Sequence, residues 1–144
     1  MKKLVLSLCG ALFLLSGCSN GGVDEDALTA VDKNQNIRQV CIKGSTRGAP
    51  DDFMDSLIAS LKKKNIIGER VKDNRTVCNH ILSFSAKGNR NIIARARLRI
   101  LSGINNQPLG SVSYKLKGEE KDRVAQVGLQ GQTDLMVNQL FKNY

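Results

Sequence analysis

The stretch Ile92-Ile93-Ala94-Arg95-Ala96-Arg97-Leu98-Arg99-Ile100-Leu101 alternates apolar and basic residues over most of its length. Successive side chains of a β-strand point to opposite faces of the sheet, so this alternation predicts a strand with one buried and one solvent-facing side. The core side carries Ala94, Ala96, Leu98 and Ile100, and the polar side carries Arg95, Arg97 and Arg99. Such a strand needs neighbouring strands and a layer that covers its apolar side.

Other segments supply the neighbours and the cover. Patterns over 37–43, 69–72, 80–87 and 111–117 predict four further short strands. Residues 51–64 predict an amphipathic helix, and Thr133 can begin a final one. The predicted fold class is α+β: a two-layer antiparallel sheet of four to five strands with two helices on one face. The second face of the sheet is expected to be open to solvent.

The end of the first predicted helix carries Lys62, Lys63 and Lys64. Cations are favoured at the carboxyl end of a helix because the helix dipole is negative there. A binding patch is the alternative interpretation of these lysines. A solvated helix terminus is favoured, because the helix dipole by itself accounts for lysines at this position.

The N-terminus predicts an export signal. Lys2 and Lys3 precede an apolar run over 4–15. That run is too short for a stable transmembrane helix, which needs about 20 apolar residues. A basic start, a short apolar run and a small-residue exit are typical of a cleavable signal, so residues 1–17 are expected to be removed.

The signal ends in Leu15-Ser16-Gly17-Cys18, which resembles the lipobox of bacterial lipoproteins. The resemblance implies that Cys18 receives diacylglycerol and an N-acyl chain such as palmitate, and two or more acyl chains anchor a protein stably to a bilayer. Ser19 follows, where lipoproteins kept at the inner membrane typically carry Asp. The resemblance therefore implies the periplasmic face of the outer membrane of a Gram-negative cell. A Gram-positive source is the alternative.

The mature chain divides into two parts. Residues 18–36 are rich in Gly, Asp, Asn and Ala, and this composition predicts a lipidated flexible tether. Residues 37–144 are long enough for one domain and too short for two, so they are predicted to form a single α+β periplasmic domain.

Two cysteines remain for the domain, because Cys9 leaves with the signal and Cys18 carries the lipid. Cys41 and Cys78 are an even pair in an oxidising compartment, which predicts one disulfide. The alternative is a two-cysteine metal site. It has little support, because His80 is the only histidine and the sequence has no Cys-x-x-Cys pair.

The sequence contains no recognisable catalytic constellation. Nucleophilic catalysis needs a nucleophile beside a base, and proton transfer needs a suitable histidine, cysteine or pair of carboxylates. His80 lies next to a predicted disulfide cysteine at the start of a strand, where a structural or exposed imidazole is the better interpretation. We therefore predict that the protein is not an enzyme and has no metal or cofactor.

Basic residues dominate the middle of the chain. No acidic residue occurs from 74 to 118, whereas eight basic ones do. Five of them fall on the polar side of two neighbouring predicted strands: Arg95, Arg97, Arg99, Lys115 and Lys117. One interpretation is a solvated sheet face that keeps the sheet soluble. The other is a platform for an anion, such as anionic lipid, lipopolysaccharide, the cell wall or an acidic envelope protein. Nucleic acid is disfavoured by the compartment.

The chain resembles a family of small uncharacterised proteobacterial outer-membrane lipoproteins. The resemblance rests on the lipobox, on the Val40-Cys41-Ile42 strand, on Cys78 before a strand and on the ending Asp134-Leu135-Met136-Val137-Asn138-Gln139-Leu140-Phe141. It implies location and fold, since these lipoproteins have no established activity. In architecture the chain is also similar to the lipopolysaccharide-assembly lipoprotein of the outer membrane.

These observations predict a non-catalytic binding or scaffold lipoprotein that is anchored to the outer membrane, faces the periplasm and engages an anionic partner through its basic sheet face. One alternative is a periplasmic inhibitor of a hydrolase. Another is an accessory lipoprotein of an envelope-assembly or DNA-transfer complex, for which the compartment argument against nucleic acid does not hold.

Overall fold

The computed structural model of the chain describes residues 21–72 and 77–144. The predicted signal 1–17 and the lipid site Cys18 lie outside the described residues. None of the described helices is both long and apolar enough to cross a membrane.

Five strands form one sheet with the spatial order β2-β1-β3-β4-β5. The strands are β1 (Gln39–Lys43), β2 (Ile67–Arg70), β3 (His80–Gly88), β4 (Ile93–Ser102) and β5 (Pro108–Lys115). Two helices accompany them, α1 (Phe53–Lys63) and α2 (Glu120–Leu140), and a 3-10 turn spans Lys33–Gln35. The predicted α+β class is confirmed.

The prediction of an antiparallel sheet is wrong, because the sheet is mixed. β1 runs parallel to both of its neighbours, β2 and β3, whereas β3, β4 and β5 pair antiparallel. For β1 and β2 the physical reason is the connection. α1 carries the chain back along the sheet between these two strands, and a helical crossover of this kind joins parallel strands.

One face of the sheet and the two helices enclose the core. α1 turns its apolar stripe inward and ends in Lys62 and Lys63, as the dipole argument predicts. The largest fully buried side chains are Phe53, Phe141, Ile42, Leu57, Leu61, Ile66, Leu82, Ile93, Leu98, Ile100, Met136 and Leu140. These side chains come from both helices, from β1, β3 and β4, and from the two residues that directly precede β2 and follow α2, Ile66 and Phe141. A single core therefore holds the two layers together.

Two local predictions on this framework are wrong. Ala94 is exposed rather than buried, because the register of β3 and β4 shifts beside it and Ile93 takes the core position. α2 is interrupted by a kink at Gly128, with φ 65° and ψ −164°, and Thr133 lies inside the helical part after the kink rather than at its start. That conformation suits glycine, which has no Cβ to clash at positive φ.

The prediction of a flexible tether over 18–36 is wrong for residues 21–36. Val23 bridges to Tyr114, and Thr29 bridges to Ser111, so the segment lies along the outer edge of β5. Val31 is completely buried. The polar composition of the segment suggested no packing, but backbone N–H and C=O groups can pair with an edge strand whatever their side chains are.

The predicted disulfide between Cys41 and Cys78 is confirmed. The two Cα atoms are 6.0 Å apart, and the bond ties β1 to the segment that leads into β3. Cys41 points away from the main core, because its strand neighbours Val40 and Ile42 take the core side. The cystine forms a small second cluster with Ile81 on the other face of the sheet. Since both sulfurs are bonded, the two-cysteine metal site is ruled out.

Candidate anion-binding face

A row of basic side chains crosses three adjacent strands on the face of the sheet that the helices leave open. Lys87 of β3 is paired in register with Arg95 of β4, and Arg95 is paired with Lys115 of β5. All three side chains are exposed. We call these three residues the basic row. Neighbouring strands are about 4.8 Å apart, so the row spans about 10 Å.

The next arginines along β4 have short hydroxyl neighbours instead. Arg97 lies between Ser85 and Ser113 in the register. Serine side chains are too short to cover a neighbouring guanidinium group, and their hydroxyls can donate hydrogen bonds to the same ligand. Arg99 lies between Ser83 and Ser111 in the same way. The open face therefore presents a column of exposed arginines.

One end of this face forms a groove of about 690 Å³. It is lined by Lys87, Arg95, Arg97, Lys115 and Lys117 and also by Asp24 and Glu25. Five basic and two acidic side chains give the groove a net charge of +3. Four of the five predicted residues thus meet at one site. The groove does not include Arg99, which lies further along β4, and Lys117 reaches it from the loop after β5 rather than from the strand.

Three of the charged residues at this groove, Lys87, Asp24 and Glu25, are not among the predicted site residues. The sequence could have indicated Lys87, since it lies on the same polar side of its strand as Ser83 and Ser85. It could not have indicated Asp24 and Glu25, because both belonged to the predicted tether. Packing of residues 21–36 against β5 brings their carboxylates to the rim of the groove.

The arrangement is suited to oxyanions. Like charges on adjacent strands repel, so the basic row carries an electrostatic cost that a bound anion relieves. Arginine binds phosphate and carboxylate through two parallel hydrogen bonds, and lysine adds a mobile point charge. The exposed guanidinium groups of Arg95 and Arg97 and the ammonium groups beside them can therefore hold a phosphate or carboxylate group.

A buried polar cluster lies beneath the groove and fixes its β5 side. Glu120 is 3% exposed, and its carboxylate accepts hydrogen bonds from the hydroxyl of Tyr114 at 2.7 Å and from Nε of Arg123 at 2.8 Å. Burial opposes ionisation of Glu120, but these hydrogen bonds, together with one from the backbone N–H of Gly22, outweigh it and lower the pKa of that carboxyl. Burial raises the pKa of the Tyr114 hydroxyl.

The same cluster continues through Gln132 to Ile93, the first residue of β4. The side-chain amide of Gln132 donates to the hydroxyl of Tyr114 at 2.9 Å. It also accepts from the backbone N–H of Ile93 at 2.8 Å and donates to the carbonyl of that residue at 2.9 Å. Gln132 thereby satisfies the polar backbone atoms of Ile93 where the strand register shifts, and it anchors α2 to the sheet.

One of the lysines at the end of α1, Lys63, has a structural explanation. Nζ of Lys63 forms an ion pair of 2.7 Å with Asp134 of α2. Burial opposes ionisation of Asp134, but hydrogen bonds from Lys63, Gln130 and Ser60 outweigh it and lower its pKa. Lys63 thus joins the two helices, away from the open face of the sheet.

His80 lies at the start of β3, close to the disulfide, and is half-buried. Burial lowers its pKa, which favours the neutral imidazole. Among residues 21–72 and 77–144, no three histidine, cysteine or acidic side chains gather in a way that could hold a metal ion.

Comparison with known proteins yields a likeness in fold. No family model and no curated protein matches the chain. A solved PelC dodecamer from Paraburkholderia phytofirmans matches with a TM-score of 0.49 at 12% identity, covering 79% of this chain and 95% of that chain. A dodecamer of a PelC variant from the same organism matches with a TM-score of 0.51 at 11% identity, covering 84% of this chain and 99% of that chain. The chain is therefore similar to PelC in its α+β fold.

Proposed function

We propose that this protein is a non-catalytic binding or scaffold lipoprotein, anchored to the outer membrane through Cys18 and facing the periplasm, which engages an anionic partner through its basic face. The observation that carries the proposal is the basic row, in which Lys87, Arg95 and Lys115 are aligned across three strands with exposed side chains. A solvated face needs no such alignment, because repulsion between directly opposed like charges favours spreading them apart.

The position of the groove supports a binding role rather than a packing role. The core lies on the other side of the sheet, and the alternation along β4 sends Leu98 and Ile100 into it while the arginines face outward. Binding at the groove therefore needs no rearrangement of the core. The disulfide removes Cys41 and Cys78 as candidate nucleophiles.

The anchoring part of the proposal is tested by changing Cys18 to Ala. Membrane and soluble fractions of the expressing cells are then compared. We expect the unchanged protein in the membrane fraction and the variant in the soluble periplasmic fraction. A variant that stays on the membrane would overturn lipid anchoring.

The binding part is tested on the Cys18→Ala protein with heparin as a generic polyanion. We expect binding that weakens as salt is added, since exposed charges are screened within about 10 Å at 0.1 M salt. The triple change Arg95→Gln, Arg97→Gln and Lys115→Gln should abolish it. The matched control is Lys62→Gln, Lys121→Gln and Lys142→Gln, which removes the same charge from exposed positions outside the groove. Equal loss in both variants would show attraction to net charge alone and would overturn a site on this face.

A further inference from the structure

The N-terminal segment enters the fold beside the basic row. The carbonyl oxygen of Gly22 accepts a hydrogen bond from the backbone N–H of Lys115 at 2.9 Å. The N–H of Gly22 binds the buried carboxylate of Glu120. Gly22 itself is buried, and a side chain there would collide with the carbonyl of Lys115 and the ring of Tyr114. The place where the chain emerges from the domain is thus held firmly at the end of β5.

The predicted lipid site is close to this point along the chain. Cys18 precedes Gly21 by three residues. A chain extends at most about 3.6 Å per residue, so the Cα of Cys18 lies within about 11 Å of the Cα of Gly21 in any conformation. A lipid on Cys18 consequently holds this end of the sheet at the membrane surface. The long tether expected from the sequence would have allowed the domain to move away from it.

The basic side chains on the open face are concentrated at the end of the sheet where Gly22 joins β5. Lys115 of the basic row pairs with Gly22, and Lys87 lies two strands away. Arg99 is four residues beyond Arg95 on β4, which places it about 13 Å further from the row along the strand. The basic residues nearest to the anchor are therefore those that line the groove.

We propose that the basic row and Lys117 dock on the phosphate headgroups of the same membrane that holds the lipid on Cys18. This inference rests on the proposed lipid anchor. Phosphate is one of the anions that arginine binds through paired hydrogen bonds, and phosphate groups cover the surface of an anionic bilayer. Acyl chains and a basic patch reinforce each other, because the anchor raises the local concentration of headgroups around the patch. Docking orients the domain with its basic end toward the membrane.

The test uses the lipidated mature protein in vesicles and measures acetylation of individual lysines by mass spectrometry. Vesicles of phosphatidylcholine are compared with vesicles that contain phosphatidylglycerol. We expect Lys87, Lys115 and Lys117 to react about five times more slowly on the anionic vesicles, with the difference removed by high salt. Lys62 and Lys142 are internal controls and should react equally on both.

Two variants sharpen the comparison. Arg95→Gln should reduce the protection of the row lysines, whereas Arg99→Gln, the same change on the same strand and face, should leave it intact. Insertion of ten Gly and Ser residues between Asn20 and Gly21 should also reduce it, since a longer linker lowers the effective concentration of headgroups at the row.

Each alternative outcome has a definite meaning. Equal protection on both kinds of vesicle would indicate shielding by the anchor alone and would overturn headgroup recognition. If the lysines are protected on neither kind of vesicle, docking on headgroups is overturned. If Cys18→Ala nevertheless releases the protein from the membrane in cells, the proposed lipid anchor still stands. Protection of the unanchored Cys18→Ala protein by millimolar inorganic phosphate, without protection on vesicles, would assign the groove to soluble phosphate instead.

Discussion

The backbone N–H of Lys115 donates a hydrogen bond to the carbonyl oxygen of Gly22 at 2.9 Å. This contact joins the last residue of β5 to a segment whose composition is typical of a linker. It has two consequences for function. The carboxylates of Asp24 and Glu25 reach the rim of the basic groove, and the site of lipid attachment is held close to the basic row.

Neutralising the arginine column should preserve the fold. Arg95, Arg97 and Arg99 are exposed and make no core contact, so their joint replacement by Gln should change the free energy of unfolding by no more than about 0.5 kcal/mol per site. Urea denaturation measures this. A loss of more than about 2 kcal/mol per site would mean that the arginines are buried or paired, which would contradict the open face.

Removing an acidic group from the rim should strengthen anion binding. Asp24→Asn removes one negative charge from the groove while its side-chain oxygen can still accept from the N–H of Asp26. We expect heparin to bind about two to five times more tightly, which corresponds to an exposed charge interaction of up to about 1 kcal/mol. Asp26→Asn, on the same segment but away from the groove, is the control. Equal gains from both changes would exclude a local effect.

Shortening Val31 should destabilise the whole domain. This side chain is completely buried in the main core, so Val31→Ala should lower the free energy of unfolding by about 2 kcal/mol. Val77→Ala is the matched control, because that valine is 93% exposed and should lose less than about 0.5 kcal/mol. If Val31→Ala and Val77→Ala both lower the free energy of unfolding by a similar small amount, residues 21–36 would again be interpreted as a tether.

The disulfide should resist alkylation and contribute strongly to stability. Denatured protein from the cell envelope should show no free thiol at Cys41 or Cys78 until reductant is added. The bond spans 37 residues of sequence, and removing it by changing both cysteines to Ala should cost about 4 kcal/mol in the chain-entropy model. Alkylation of both thiols without reductant would contradict the disulfide.

Glu120 should make stability depend on pH in the acidic range. Its pKa is lowered below the ordinary value of 4.5 in the folded protein. A carboxyl with a depressed folded pKa stabilises the protein above its unfolded pKa and loses that contribution as pH falls through the folded pKa. Glu120→Gln should therefore lower the free energy of unfolding by about 1–3 kcal/mol at pH 7. The difference in this free energy between the variant and the unchanged protein should shrink below pH 4.5.

The exposed neighbour Glu119 provides the control for this pH experiment. Glu119→Gln should have little effect at either pH, since that side chain is exposed. A Glu120→Gln cost that is the same at pH 7 and at pH 3 would show that packing, and not the charge of Glu120, stabilises the cluster.

The sequence alone determined the features that follow from local periodicity. The alternation along β4 separated Leu98 and Ile100 from the arginines, because each strand has a fixed two-residue period that does not depend on its neighbours. The apolar stripe of α1 follows similarly from the helical period, and the lysines in its last turn follow from the helix dipole. Cys41 and Cys78 could be paired because they are the two cysteines left for the domain once the signal and lipid site are set aside.

Tertiary structure decided what depends on partners distant in the chain. The parallel pairing of β1, the alignment of Lys87 with Arg95 and Lys115, and the attachment of Gly22 to β5 all come from backbone hydrogen bonds between remote segments. Backbone groups are chemically alike at nearly every residue, so side-chain patterns carry little information about which segments they join. For this reason the basic residues could be predicted, whereas their assembly into one groove beside the N-terminal segment could not.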